Sequence, residues 1–241
     1  MEWGRAKTIL ILAFLGLNLV LGYQLWFIKK DVFGSKMNSS EMTQQTLELL
    51  EDKGITVKQD IPKDTPKAGE IVVRFESKPG KYGDGMYRLS LEDAVLLEDY
   101  SKGLSGQIDY LEQYKWDPVL SKEGVNVLNQ LYNELPLFEV NLKLYYTDGI
   151  VYAYEQKYAK ALPSDTSKEQ TVLSAYTALQ LLAEKYLPNG TVIEDIRLGY
   201  HGKIYNSDTQ VMAPKWRFSL QNGTVYYMHA INGEVEEVQK E

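Results

Sequence analysis

The sequence predicts an α+β protein: one N-terminal transmembrane helix, then antiparallel sheets with helices packed on one face, in two similar modules. Three observations carry that class. Residues 9–28 read ILILAFLGLNLVLGYQLWFI, an apolar run without a charge. Beyond it, alternating apolar and polar segments flank two-residue turn signals, Asp148-Gly149 and Asn222-Gly223. Between the strands lie stretches with helical periodicity, each opened by a serine.

At the helical rise, about 20 residues cover roughly 30 Å, the hydrocarbon thickness of a bilayer. Arg5 and Lys7 bound the run on one side and Lys29 and Lys30 on the other, with Trp3, Tyr23, Trp26 and Phe27 near the two interfaces. A cleaved signal peptide has a shorter apolar core and an A-x-A-like site. This core is longer and no such triplet follows, which favours an uncleaved anchor over residues 8–28. Lys29, Lys30 and Lys36 balance Arg5 and Lys7, so charge leaves the orientation open.

Residues 31–241 hold 22 basic and 32 acidic residues, which argues against nucleic acid and against lying flat on anionic lipid. The chain has no cysteine, so disulfides, thiol catalysis and cysteine metal sites are excluded. Eighteen tyrosines against six phenylalanines suit strands with one wet face.

In chain order, residues 29–40 form a polar connector. Ser40 caps a helix from Glu41, with Met42, Leu47, Leu49 and Leu50 on its apolar side and Gly54 at its end. Ile55 and Val57 alternate as a short strand, and Ile71, Val73 and Phe75 as another. Met86 to Leu91 forms a further strand, 92–100 fits helix or strand, and Gln107 to Trp116 alternates as a strand. Ser121 opens a helix to about Glu134, with Val125, Leu128, Leu131 and Tyr132 inward. Phe138–Tyr146 and Ile150–Tyr158 form the first hairpin. Ser167 caps a long helix to Leu187, with Gln170 completing a capping box. Strand 191–200 follows, then a loop from His201 to Pro214, a hairpin at Trp216–Leu220 and Thr224–Ala230, and a last strand at Glu234–Val238. GQIDYLEQY from Gly106 and GIVYAYEQKY from Gly149, each followed by Ser-Lys-Glu, suggest a repeated unit and modules at 41–165 and 166–241.

No G-x-S-x-G, H-E-x-x-H, P-loop or EF-hand pattern occurs, so neither a catalytic residue nor a cofactor or metal site is assigned. His201 reads as a loop residue and His229 as a cross-strand contact. The adjacent carboxylates Glu98-Asp99 and Glu194-Asp195 form no dyad, because neighbours on a strand point to opposite faces. The informative polar residue is Asn18, in mid-span, where an amide wants a partner. Ile11, Leu15, Asn18, Gly22 and Leu25 share one helical face, and Gly22 admits a second helix closely. That face is the expected partner contact in the membrane.

The lead W-x-R-x-K-T-I, the apolar run with Asn18, and Tyr23-Gln24-Leu25 resemble the start of the YycI family of bacterial membrane regulators. The order of tail, span and tyrosine-rich region fits that family along the whole chain. The resemblance implies a cytoplasmic tail at 1–7 and an extracytoplasmic remainder in a Gram-positive cell. It also implies action with a YycH-like protein on the sensor histidine kinase YycG, also called WalK, of the cell-wall two-component system. The last 75 or so residues are similar to a PepSY module, with His229 where such modules commonly carry Asp. An extracytoplasmic enzyme or ligand-binding domain acting on wall material is the alternative; a deep pocket with convergent polar groups would favour it.

Overall fold

The computed structural model describes residue 7 and residues 10–23, 39–77, 87–89, 95–163, 168–202 and 207–238. The chain divides into two compact units, Met1–Gln44 and Gln45–Glu241. In the first, residues 10–23 form helix α1, with its side chains exposed. Among the described residues no helix is long and apolar enough to cross a membrane. Positions 8–9 and 24–28 of the expected span lie outside them.

Helix α2 (Ser39–Asp52) contains the boundary between the units. The second unit is built on a 13-stranded, branched sheet whose spine follows the order β10 (Tyr158–Leu162), β3 (Ile71–Glu76), β13 (Thr209–Leu220), β12 (Val192–His201), β8 (Leu135–Thr147), β7 (Val125–Tyr132), β6 (Tyr114–Trp116). Pairing is antiparallel except where β12 meets β8 and β1 (Thr56–Val57). The mixed α+β class with a mainly antiparallel sheet is as the sequence predicts.

Two long strands join the parts by changing partners along their length. Strand β13 pairs with β12 over most of its course, while its other edge passes from β3 (Thr209 to Met212) to β14 (Val225–His229) from Lys215 onward. Pro214 stands at the handover, where a residue without an N–H breaks no ladder bond. Strand β8 touches β12 at Leu137, then pairs with β9 (Ile150–Gln156) from Leu142, and the other edge of β9 takes β4 (Tyr87–Arg88) and β5 (Val95–Leu96). Asp148 (φ 50°) and Gly149 (φ 76°) turn β8 into β9 as the Asp-Gly signal requires.

Helix α4 (Ala175–Lys185) covers one face of β12, β13 and β14. Its Ala178, Leu179, Leu182 and Ala183 pack with Ile196, Leu198, Trp216, Phe218 and Met228 in the largest apolar cluster. Two smaller clusters lie elsewhere. One joins Leu128, Leu142, Leu144 and Val151 to Leu104 and Ile108, which follow the short helix α3 (Tyr100–Gly103); the other joins Val73, Leu137, Val140, Tyr200 and Met212.

Four sequence expectations are corrected here. Residues expected as the helix after Ser121 are strand β7, turned into β8 by Asn133 (φ 47°) and Glu134 (φ 67°). Pairing with β6 and β8 overrides the helical spacing of the apolar residues. Ser121 instead ties the preceding turn: its Oγ accepts from Val127 N and Trp116 Nε1, both at 2.9 Å. The helix expected from Ser167 begins at Ala175, and its cap is Ser174, whose Oγ accepts from Thr177 N at 3.1 Å. Gln170-Thr171 is strand β11, paired with β2 (Lys67–Ala68); Ser167 lies outside the described residues. The loop expected from His201 to Pro214 is β13 from Thr209 onward. Of the strand expected over 107–116 only β6 is strand, preceded by turns and a 3₁₀ segment, Leu111–Gln113.

Candidate functional site

On α1, Ile11, Leu15, Asn18 and Gly22 are all exposed, and Leu25 lies outside the described residues. Asn18 Nδ2 donates to Phe14 O at 2.8 Å, so half of the amide is satisfied within its own helix. The Oδ1 acceptor has no partner among the described residues. A Cβ placed on Gly22 would meet nothing within 4 Å.

The second unit contains a polar layer the sequence did not announce. Strand period two puts Asp195, Arg197, Gly199 and His201 on the face of β12 turned away from α4, with Lys215, Arg217 and Ser219 beside them on β13. Arg197 and Arg217 are direct cross-strand partners. Two guanidinium groups so placed repel, and carboxylates offset the repulsion. Arg217 Nη1 donates to Asp117 Oδ2 at 2.7 Å and Nη2 to Asp195 Oδ2 at 2.9 Å. Arg197 Nη2 donates to Asp195 Oδ1 at 3.0 Å. Asp117, in the turn after β6, also accepts from Asn129 Nδ2 at 2.6 Å and from the Val119 N–H. The Phe138 ring covers the group, 4.7 Å from the Arg217 guanidinium carbon.

Burial alone would raise the Asp117 carboxyl. Hydrogen bonds from Arg217, its charge and that of Arg197 outweigh burial and hold Asp117 below the usual carboxylate range. Burial would likewise lower Arg217, but Asp117 and Asp195 raise it, so the pair stays ionised. Arg217 Nε remains buried without a hydrogen bond.

The layer continues past Phe138. Tyr227 stacks on His201 with centroids 3.8 Å apart, and His201 Nδ1–H donates to Glu139. Burial pushes the Tyr227 hydroxyl up, against the opposing charge of Arg217. His201 is thus a nearly buried strand residue, not the expected loop residue. Lys215 Nζ donates to Glu236 Oε2 of β15 (Val235–Val238) at 2.9 Å. His229 ends β14, and its Nδ1 accepts from Ile231 N at 3.2 Å.

Glu194 points outward to Lys58 at 2.9 Å while Asp195 points inward, the opposite-face geometry expected of neighbours on a strand. Glu98 and Asp99 are both exposed. Among the described residues no group of three or more His, Asp or Glu could hold a metal ion. The polar layer is a closed set of charges between strands, suited to fixing β6–β8 against β12–β14. Sequence reasoning missed it because Asp117 and Arg217 meet across 100 positions. The available signal was Asp195-Ile196-Arg197 and Trp216-Arg217-Phe218, charges interleaved with core residues on strands.

The arrangement is that of an α+β sheet domain with an exposed helix before it. Residues 87–231 match the YycI protein family. That stretch exceeds half of the chain, and the chain belongs to the YycI family. No curated protein matches the chain. Among solved structures, an uncharacterized protein from Eubacterium rectale is similar at 13% identity and a TM-score of 0.34, over 48% of this chain and 42% of that one. The chain thus spans well under half the length of that protein.

Proposed function

We propose that this protein is a membrane-anchored regulator of the sensor histidine kinase YycG/WalK, acting beside a YycH-like protein. The YycI family match over residues 87–231 carries the reading. In it, residues 8–28 span the bilayer, 1–7 lie in the cytoplasm, and modules 41–165 and 166–241 face outward. The exposed stripe of Ile11, Leu15, Asn18 and Gly22 supports contact through membrane helices. Regulation then works by differential contact with the two signalling states of the kinase, since a partner shifts an equilibrium only by such a difference.

The test is kinase output in cells. Deleting the protein should change phosphorylation of the cognate response regulator, and the full-length chain should restore it. The full-length chain should also recover kinase and YycH-like protein together from detergent-solubilised membranes. Unchanged phosphorylation on deletion, with neither protein recovered, overturns the regulatory reading.

A further inference from the structure

An open groove of about 450 Å³ lies in the second unit between the last turns of α2, the segment from Ile55 to Ile61, and Tyr176 of α4. Its floor is apolar: Leu50, Ile55, Val57 and Ile61. Leu47, on the apolar side of its helix, stands 45% exposed on the groove wall. An exposed leucine beside apolar floor residues is the composition of a docking cleft.

Two further features define what fits. The first is charge. Glu51 and Asp60 line the groove, and neither side chain has a hydrogen bond or ion pair among the described residues. Two nearby lysines make their bonds elsewhere. Lys53 Nζ donates to the carbonyls of Ala183 and Leu187 at the end of α4, and Lys58 pairs with Glu194. The rim therefore presents two carboxylates that are unpaired among the described residues. The second is a strand edge. Thr56 N donates to Thr191 O at 3.0 Å and Lys58 N to Ile193 O at 2.9 Å, so β1 uses these two donors on β12. The alternation of a strand turns the Val57 N–H and C=O the other way, where no strand among the described residues pairs with β1.

We propose that this groove receives an extended segment of a partner protein in the regulatory assembly, with alternating apolar residues and a flanking Lys or Arg at each acidic rim position. The segment adds beside β1 through the Val57 backbone, its apolar side chains meet Leu47, Leu50 and Ile61, and its cations meet Glu51 and Asp60. The inference rests on the regulatory reading and names the chemistry of one contact within it.

A photo-cross-linking residue at Leu47 of the full-length chain, in membranes carrying the kinase and the YycH-like protein, tests it. The expected result is a cross-link to one of those two proteins, absent from the more exposed control position Val211 (56%). Glu51→Lys with Asp60→Lys should cut the yield about tenfold, and Glu51→Gln with Asp60→Asn should cut it less, as a cationic segment requires. Val57→Pro removes the outward donor along with the Val57 side chain's packing on the α4 cluster, so it should reduce the yield below that of Val57→Ala at a matched melting temperature. A cross-link to a second copy alone, or a yield indifferent to charge reversal, overturns the proposal. So does no cross-link from Leu47 while both partners still co-purify, and the regulatory reading then stands without this contact. Failure of the wild-type chain to recover either partner sinks the regulatory reading itself, and the groove assignment with it.

Discussion

Arg217 pairs with two carboxylates at once, and that makes it the most consequential single side chain in the second unit. Arg217→Ala leaves Asp117 and Asp195 buried without their main partner, and loss of one member of a buried pair costs about 3–5 kcal/mol. Urea unfolding should show that loss at pH 7, whereas Lys58→Ala, which breaks an exposed pair, should move the midpoint far less. The pH dependence follows from the lowered Asp117 carboxyl. A carboxylate depressed on folding adds stability that is complete above its unfolded value of about 3.9 and is lost as pH falls below it. The gap between wild type and Arg217→Ala should therefore narrow from pH 5 to pH 3; a constant gap would sink this account. Residue-level legibility was uneven. Asp195 and Arg197 stand two apart and could be read as one face, but no local pattern linked either to Asp117.

At the scale of elements, the strand signals that worked were local. Asp148-Gly149 specified its hairpin through two left-handed positions. The signals that failed met longer-range pairing. The 125–132 segment has acceptable helical spacing, yet it pairs on both edges, and its turn at Asn133-Glu134 contains no glycine to announce it. The stretch after Ser167 failed differently: a serine seven residues later takes the cap. Element contacts also predict a weak point. A Cβ on Gly199 would lie 2.6 Å from both Phe138 Cζ and Pro136 O, where β8 runs parallel to β12. Gly199→Ala must push these strands apart, and overpacking of that kind costs about 1–3 kcal/mol. A chemical melt should register it, and an unshifted midpoint would show that the Phe138 ring yields freely.

For the whole molecule, the proposed anchor and the sheet can be probed by separate substitutions. Asn18→Leu and Gly22→Leu alter the α1 stripe without touching the second unit's hydrogen bonds. Each should weaken association with partner helices in a membrane two-hybrid comparison at matched expression, by the roughly 0.6–2 kcal/mol typical of interhelical amides and close packing. Leu17→Ala and Leu21→Ala, on other faces, serve as controls. Equal signals for all four would move the contact away from this stripe. The α+β class and antiparallel character were legible because the alternation of strands is written locally. The single branched sheet was not, because β8 and β13 create it by changing neighbours midway.

The 100-residue separation of Asp117 and Arg217 also sets a timetable. Chains grow at about 5–20 residues per second, so Asp117 is made roughly 5–20 s before the arginine that neutralises it. During that interval the nascent β6–β8 hairpins carry a carboxylate with no guanidinium to receive it and lack the β12–β14 surface they pack on. Maturation of this region waits on the synthesis of β13. A ribosome-stalled chain ending before residue 207 should be cut by protease within β6–β8, and release of the full chain should bring resistance to that region abruptly.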